Sequence, residues 1–255
     1  MKQLVKVGGA ALALLLFMYK NAFAHKLRRQ TVQLEAAVPF RPFNLLFIAD
    51  IHRRKISKEM LDFPVDVIVI GGDLAEKGVP LKQVADNLKL LVNKAPIYFI
   101  WGNNDREVRE RNLRKLFEHY GIKPMDNEAV SLLGNPHLKL VGVNYLALEN
   151  DGLERAFSQV EEEDTVIFVS HSPFLFKRVK KGYHVDFLMA GHTHGGQIRL
   201  GNFGFYRKGA LKVKGGKPEL VTNGFGTTKL PLRLGAPAEY HLLTIEPKRR
   251  GWHNS

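Results

Sequence analysis

The chain has 255 residues, of which 45% are hydrophobic, and it contains no cysteine. These properties allow one sizeable globular domain, and they exclude a disulfide framework, thiolate metal sites and cysteine nucleophiles. Lysine and arginine number 38 against 25 aspartates and glutamates, a formal net charge of +13. Such a basic balance favours anionic partners: nucleic acid, phospholipid head groups, envelope polymers or phosphorylated substrates.

An apolar run over residues 7–19 lies near the N-terminus between Lys6 and Lys20. The following Ala-Phe-Ala at 22–24 is typical of an export-signal cleavage site. The run is short for a bilayer crossing, which needs about 20 residues, but flanking lysines could extend it into a tilted anchor. We therefore predict that residues 1–24 are an export signal or anchor that associates the protein with the cell membrane.

From residue 44 onwards, apolar runs alternate with amphipathic patterns. Five apolar runs that end in polar residues predict buried strands over 44–50, 65–73, 95–105, 165–172 and 185–194. Apolar residues at near-helical spacing predict helices over 79–94, 106–121 and 152–160. Residues 197–226 have the composition of turns and short strands, and a closing strand is predicted over 239–247. The alternation indicates an α/β fold, in which ligands bind beyond the carboxyl ends of the strands.

Potential metal ligands follow the predicted strands. They are carboxylates, imidazoles and one amide: Asp50, His52, Asp73, Asn103, His171, His192 and His194. This donor set suits divalent ions such as Mn, Fe, Co or Zn. Because the ligands exceed what one ion needs, they predict two metal ions that stabilise the attacking and leaving oxygens of an in-line displacement. The chemistry predicted is metal-assisted hydrolysis.

The motifs that contain these residues occur in a distinctive order. They are DIH at 50–52, GGD at 71–73, GNND at 102–105, SH at 170–171 and GHTH at 191–194. In this order and spacing they resemble the motif set of the calcineurin-like metallophosphoesterases, and the N-terminal segment is similar to that of membrane-associated bacterial members. The resemblance implies two facing mixed β-sheets flanked by helices, and a phosphoesterase domain over residues 44–247.

The resemblance also implies a role for each ligand. One ion would be held by Asp50, His52 and His194. The other would be held by Asn103, His171 and His192. Asp73 would bridge both ions, because a carboxylate has two oxygens to offer, and a hydroxide held between the ions would be the nucleophile.

One position departs from the family's pattern. The motif commonly reads Gly-Asn-His-Asp or Gly-Asn-His-Glu, whose histidine is credited with helping the leaving group, and here Asn104 stands in its place before Asp105. An asparagine can donate a hydrogen bond to a phosphoryl oxygen but delivers no proton at neutral pH. We predict catalytic positions at Asn104 and Asp105, and a small-molecule or lipid-linked phosphodiester or pyrophosphate substrate with a stable leaving group.

Two other functions fit parts of the sequence. A nuclease would use the basic surface to hold nucleic acid, although aromatic and basic residues are not interleaved as in stacking platforms. A non-catalytic metal-binding interaction module of the same fold would account for Asn104, but every other matched ligand position is filled. The sequence therefore favours a binuclear-metal-dependent phosphoesterase that works at a membrane or an anionic envelope surface.

Overall fold

Two six-stranded mixed sheets pack face to face in the computed structural model, which describes residues 2–145 and 151–249. In chain order the strands are Lys26–Ala36 (β1), Phe43–Ile48 (β2), Val67–Ile70 (β3), Ile97–Phe99 (β4), Lys123–Pro124 (β5), Glu128–Leu132 (β6), Asn135–Val143 (β7), Thr165–Ser170 (β8), Phe187–Ala190 (β9), Ala210–Lys214 (β10), Lys217–Val221 (β11) and Glu239–Arg249 (β12). The helices are Lys2–Ala22 (α1), Leu81–Val92 (α2), Glu110–Tyr120 (α3), Gly152–Phe157 (α4) and Phe176–Gly182 (α5). The predicted arrangement of two facing mixed sheets flanked by helices is confirmed.

Parallel strands form the centre of each sheet. The first sheet has the order β1-β12-β2-β3-β4-β5, in which β2 to β5 are parallel and β12 runs antiparallel to β2. The second has the order β10-β11-β9-β8-β7-β6, in which β11, β9, β8 and β7 are parallel. Parallel strands end at the same edge of a sheet, so the loops that follow β2, β3 and β4 are neighbours, as are those that follow β8 and β9.

Three apolar layers hold this sandwich together. Phe47 of the first sheet and Met189 of the second are fully buried in the layer between the sheets. Leu88 and Phe117 pack α2 and α3 on the outer face of the first sheet, and Val179 packs α5 on the second. Sheets covered on both faces contain nearly continuous apolar strands, which explains the unbroken apolar runs of the sequence.

The predicted strands and helices are found, and most of them are shorter than their apolar or amphipathic runs. The closing strand predicted over 239–247 is longer and ends at Arg249. The run over 65–73 contains only β3, and the run over 185–194 contains only β9, because the polar ends of both runs are loops. The helix predicted over 152–160 is α4, which ends at Phe157. The sequence patterns do not predict β1, the β6–β7 hairpin or α5.

The N-terminal segment is a helix that leaves the domain. α1 has 21 residues and is long and apolar enough to cross a membrane, by length and composition only. Within it, only Met18 and Ala22 are buried. The predicted segment 1–24 therefore contains α1, and its first residue lies outside the described part of the chain.

Candidate metal centre

The loops after β2, β3, β4, β8 and β9 meet at one edge of the sandwich and bring all seven predicted ligands into contact with one another. In the first group, Nε2 of His52 lies 3.2 Å from Nε2 of His194. The same His194 nitrogen lies 3.6 Å from Oδ1 of Asp50. All three side chains are buried, and their potential ligand atoms lie within 4.8 Å of one another.

The second group is centred on His171. Its Nε2 lies 3.2 Å from Oδ1 of Asn103 and 3.1 Å from Nδ1 of His192. The same nitrogen lies 3.4 Å from Oδ2 of Asp73. That carboxylate oxygen is also 3.8 Å from Nε2 of His52, in the first group. Asp73 therefore lies within reach of both groups, as the bridging carboxylate that the resemblance implies would. Asp50 also has an oxygen within 4.8 Å of ligand atoms of Asp73 and His171.

Unusual backbone conformations turn these side chains towards one another. Five of the seven ligands have positive φ angles: Asp50 (56°), His52 (50°), Asp73 (51°), His192 (69°) and His194 (48°). Residues other than glycine seldom adopt this left-handed region, and those that do cluster at functional sites. These five residues lie in the loops that directly follow the strands, and their left-handed conformations turn the side chains towards one another.

Two glycines of the motifs make room for the carboxylates. A Cβ atom on Gly102 would lie 2.2 Å from Oδ1 of Asp73, and one on Gly191 would lie 2.7 Å from Oδ2 of Asp50. Neither distance is compatible with a side chain. The glycines that precede Asn103 and His192 are therefore required by the close approach of Asp73 and Asp50 to the backbone.

The groups behind the rings of two histidines test whether the site fits metal ions. Nδ1 of His171 lies 2.9 Å from the carbonyl oxygen of Gly71, which can only accept, so this nitrogen carries the proton. Nδ1 of His52 lies 3.1 Å from Oε2 of Glu76. In the neutral rings, the Nε2 lone pairs of both histidines therefore face Oδ2 of Asp73. A divalent ion between these lone pairs and the carboxylate would satisfy both, and a carboxylate or carbonyl behind the imidazole is typical of metal ligands, so the residues fit divalent ions.

The pKa shifts show a negative potential around Asp73. Burial disfavours the charged form of His171, yet the Asp73 carboxylate raises the pKa of His171 to about 9. Burial likewise opposes ionisation of Asp73, but the charge of His171 holds the pKa of Asp73 well below its usual range. Burial together with the charge of His171 lowers the pKa of His192 to about 4. Asp73 stays ionised and attracts positive charge to the point where the two groups meet.

Asn104 and Asp105, the predicted catalytic positions, contact Asp73 and its loop. Nδ2 of Asn104 donates to Oδ2 of Asp73 at 2.8 Å, and the Asn104 backbone N–H donates to Oδ1 at 2.8 Å. The fully buried carboxylate of Asp105 accepts from the backbone N–H groups of Asp73 and Gly102, both at 2.8 Å. These contacts position the carboxylate between the two groups. A direct contact of either side chain with substrate stays a prediction.

Two residues that the sequence did not single out also hold the ligands. Glu76 lies behind His52 and orients it. Its position three residues after the GGD motif is the sequence feature that could have identified it. Arg233 is fully buried, and its Nη2 lies 3.2 Å from Nδ1 of His194. The same guanidinium donates to the carbonyl oxygens of Asn223 and Ala236 at 2.7 and 2.9 Å. Arg233 lies in an irregular stretch whose sequence carries no motif.

Comparison with known proteins points to one family. The sequence model described as calcineurin-like phosphoesterase matches residues 43–196. The uncharacterized protein YpbG of Bacillus subtilis is 38% identical over 255 residues, which cover 96% of this chain and 98% of that protein. The phosphodiesterase YaeI of Escherichia coli is 29% identical over 174 residues, which cover 62% of this chain and 63% of that protein.

Among solved structures, the 5'-nucleotidase precursor from Thermus thermophilus is similar, with a TM-score of 0.50 and 12% sequence identity. The match covers 80% of this chain and 55% of that one, so this chain spans about half the length of the nucleotidase precursor. At this identity the likeness shows a shared fold.

Proposed function

The chain belongs to the calcineurin-like phosphoesterase family and is a hydrolase of phosphoric ester bonds, and from this premise we propose that it cleaves phosphodiester or pyrophosphate bonds with two divalent metal ions. The observation that carries the proposal is the place of Asp73, whose Oδ2 lies 3.8 Å from Nε2 of His52 and 3.4 Å from Nε2 of His171. A single carboxylate oxygen within reach of both imidazoles supports a shared ligand between two ions.

Each residue has a defined part in this proposal. One ion would be bound by Asp50, His52 and His194. The other would be bound by Asn103, His171 and His192, with Asp73 shared. Such ions, when bound, lower the pKa of water and stabilise the charge that develops on phosphoryl oxygens. The chain's own contribution is geometric: Glu76 fixes the ring of His52, the Gly71 carbonyl fixes that of His171, and Asn104 and Asp105 fix Asp73.

The class of bond follows from Asn104. The position that commonly supplies a histidine supplies an amide here, and that amide donates to Asp73. An amide cannot protonate a leaving oxygen at neutral pH. Hydrolysis is then fastest for leaving groups that are stable as anions, which favours phosphodiesters with acidic leaving groups and pyrophosphates over simple alkyl monoesters.

We infer further that α1 is a retained membrane anchor. The Ala-Phe-Ala stretch at 22–24 contacts the folded domain: Ala22 is 1% exposed, and its carbonyl oxygen accepts a hydrogen bond from Nη1 of Arg54 at 2.6 Å. Nη2 of Arg54 donates to the Phe23 carbonyl oxygen at 3.1 Å. Removal of the segment would take the Ala22 and Phe23 carbonyl oxygens away from Arg54, whose Nη1 and Nη2 would keep the Phe225 carbonyl oxygen at 3.2 Å and Nδ1 of His25 at 2.9 Å. The loss of these hydrogen bonds supports an anchor over a discarded signal.

A substrate panel tests the proposed function. Purified full-length protein is supplied with Mn or Zn separately and assayed on phosphomonoesters, phosphodiesters and pyrophosphates, beside Asp73→Asn. We expect hydrolysis of diesters or pyrophosphates that exceeds that of alkyl monoesters, and none by Asp73→Asn, because an amide offers one neutral oxygen where two anionic ones are needed. Equal activity of the two proteins, or a preference for alkyl monoesters, would contradict the proposal.

A further inference from the structure

An exposed apolar surface borders the metal centre on one side. It is formed by two loops, 198–206 and 228–230, and we call it the apolar rim; its members are Ile198, Leu200, Phe203, Phe205, Tyr206 and Leu230. Phe203 and Phe205 are 84% and 97% exposed. The two loops form one surface because Nε2 of Gln197 donates to the carbonyl oxygens of Thr228 and Leu230 at 3.2 and 3.0 Å. Large exposed apolar patches of this kind mark sites of interaction with membranes, proteins or ligands.

A cavity of about 720 Å³ opens between the two loops of the apolar rim. His194, one of the proposed ligands, lies in its wall together with Phe205, Tyr206 and Leu230, and Lys229 adds a positive charge. A molecule that fills this space contacts a residue of the proposed metal centre on one side and aromatic and aliphatic side chains on the other. The cavity therefore fits an amphiphile that carries its phosphoryl group at one end.

The end of α1 is fixed beside the same rim. The backbone N–H of Arg233, three residues after Leu230, donates to the carbonyl oxygen of Met18 at 3.0 Å. Met18 and Ala22 are the buried residues of α1, and Ala22 is held by Arg54, which lies two residues after His52. The helix that supplies the membrane-spanning length therefore meets the domain at the loops that form the apolar rim and the metal centre.

Positive charges lie at the border of this region. Lys20 near the end of α1, Arg207 and Lys208 directly after Tyr206, and Lys229 directly before Leu230 are all exposed. Basic side chains next to an apolar surface are attracted to the anionic head groups of a bilayer, at about 1 kcal/mol each near the surface. The combination of apolar rim, basic border and docked anchor favours a lipid surface as the occupant.

We propose that the apolar rim enters the bilayer in which α1 is anchored, and that the substrate is a membrane lipid with a phosphodiester or pyrophosphate group, whose acyl part lies along the cavity. The bond that is cleaved rests on the proposed function above. The contact of the rim with lipid does not depend on hydrolysis and can be measured separately.

Membrane contact is tested by fluorescence quenching. Full-length Phe203→Trp and, as the matched control, Val213→Trp are reconstituted into vesicles whose phospholipids carry bromine on their acyl chains. Val213 is 72% exposed on β10 and lies outside the apolar rim. We expect brominated lipid to reduce the emission that the tryptophan at 203 adds to that of the native Trp101 and Trp252, and to leave the emission added by the tryptophan at 213 unchanged. Equal emission with and without bromine at position 203 would overturn the membrane contact.

The substrate class is tested on the same vesicles with long-chain and short-chain phosphodiesters that share one head group and leaving group. We expect wild type to favour the long-chain substrate at least about tenfold, a difference of about 1.4 kcal/mol. Leu200→Ser/Phe203→Ser should lose this preference, and Val213→Ser should keep it. Equal rates on both substrates would overturn the lipid substrate. If neither substrate is hydrolysed while the tryptophan at 203 is still quenched, the phosphoesterase activity itself is contradicted and the membrane contact is not.

Discussion

At the scale of single residues, the metal centre depends on side chains that hold the ligands as much as on the ligands themselves. Glu76 lies behind His52, the Gly71 carbonyl behind His171, and Asp105 behind the backbone of Asp73. Each contact decides which atom of the ligand faces the site. Partners of this kind typically contribute 10- to 100-fold in metal affinity.

Glu76→Gln should therefore weaken one ion selectively. An amide keeps the size of Glu76 but removes the charge that orients His52 and raises its basicity, so we expect the affinity of the ion at His52 to fall about 10- to 100-fold. The ion at His171 should bind as before. Competition with a chelator measures both affinities, and Glu118→Gln, an exposed change on α3, is the control. A parallel loss at both sites would show that Glu76 acts on the fold as a whole.

Asn104 can be examined by two substitutions. Asn104→Ala removes the side-chain hydrogen bond to Asp73. We expect the activation free energy of hydrolysis to rise by about 1–3 kcal/mol, which lowers the rate roughly ten- to a hundredfold. Asn104→His should add a proton donor, which helps poor leaving groups most. A plot of log rate against leaving-group pKa should therefore be flatter for Asn104→His than for wild type. Parallel plots would remove the argument for acidic leaving groups.

Residues that belong to a local sequence motif could be predicted as part of the site. The seven proposed ligands follow apolar runs in recognisable motifs, so their position at the strand ends could be predicted. Arg233 could not, because it reaches His194 from a loop 39 residues further along the chain. Nothing local marks an arginine as buried when its partners are backbone carbonyl groups brought together only by the fold.

At the scale of elements, the last turn of α1 belongs to the domain as much as to the anchor. Arg54 is 6% exposed and donates to carbonyl oxygens of Ala22 and Phe23, while its guanidinium lies 4.5 Å from the centre of the Phe225 ring. Carbonyl groups at the end of a helix have no partner within the helix, so Arg54 satisfies atoms that would otherwise be buried without one.

Two truncations separate the parts of α1. Deletion of residues 2–15 removes most of the length of α1 and keeps the docked turn, whereas deletion of residues 2–24 also removes the Ala22 and Phe23 carbonyl oxygens that accept from Arg54. We expect the second protein to have a free energy of unfolding about 1–3 kcal/mol lower than the first, because a buried guanidinium loses two of its hydrogen bonds. Urea unfolding of both measures this. Equal stability would show that the docked turn contributes nothing to the fold.

β12 contains a buried histidine from which we expect an acid-dependent loss of stability. His241 lies between Gln30 and Thr222, with ring nitrogens 3.1 Å from an oxygen of each, and burial lowers the pKa of His241 to about 4. Between this value and the ordinary 6.5, the unfolded chain binds the proton and the folded chain does not. Stability should therefore fall as the pH drops through this window, by up to about 1.4 kcal/mol per unit.

His241→Asn, which is neutral throughout, should reduce this slope. Urea unfolding in EDTA at pH 7, 5.5 and 4.5 compares the two proteins without any contribution from bound metal. The same pH dependence in both would mean that His241 is not the group responsible.

Strands were predicted where burial is complete, and β1 was missed because its burial is partial. The buried runs that became β2, β3, β8 and β9 were evident. β1 was not, because only Val32, Leu34 and Ala36 are buried in its 11 residues and the others are polar or partly exposed. Its partner in the sheet is β12, more than 200 residues away. A strand that depends on so distant a partner carries little local signal.

At the scale of the whole molecule, the metal centre joins the two sheets. Asp50, Asp73 and Asn103 follow strands of the first sheet, and His171 and His192 follow strands of the second. Ions that bind only this assembled arrangement stabilise the folded chain by mass action. The two-sheet sandwich could be expected from the resemblance of the motifs, whereas the docked anchor and the apolar rim required the structure, because both depend on contacts between distant segments.

The net charge of +13 also acts at this scale. A charge of this size favours anionic surfaces, and the exposed lysines and arginines beside α1 and the apolar rim would direct such an attraction to the side where the cavity opens. A positive charge of this size alone would equally suit nucleic acid. What favours a membrane is the apolar surface among the charges.

The most direct test of the central claim is the metal content of the purified protein, measured by elemental analysis together with turnover for wild type and Asp73→Asn. The account predicts two divalent ions per wild-type chain and at most one in Asp73→Asn, with hydrolysis lost, because the carboxylate between the two groups is needed to hold both ions. A wild-type chain that hydrolyses its substrate with a single ion, or an Asp73→Asn protein that keeps two ions and near-wild-type turnover, would contradict it.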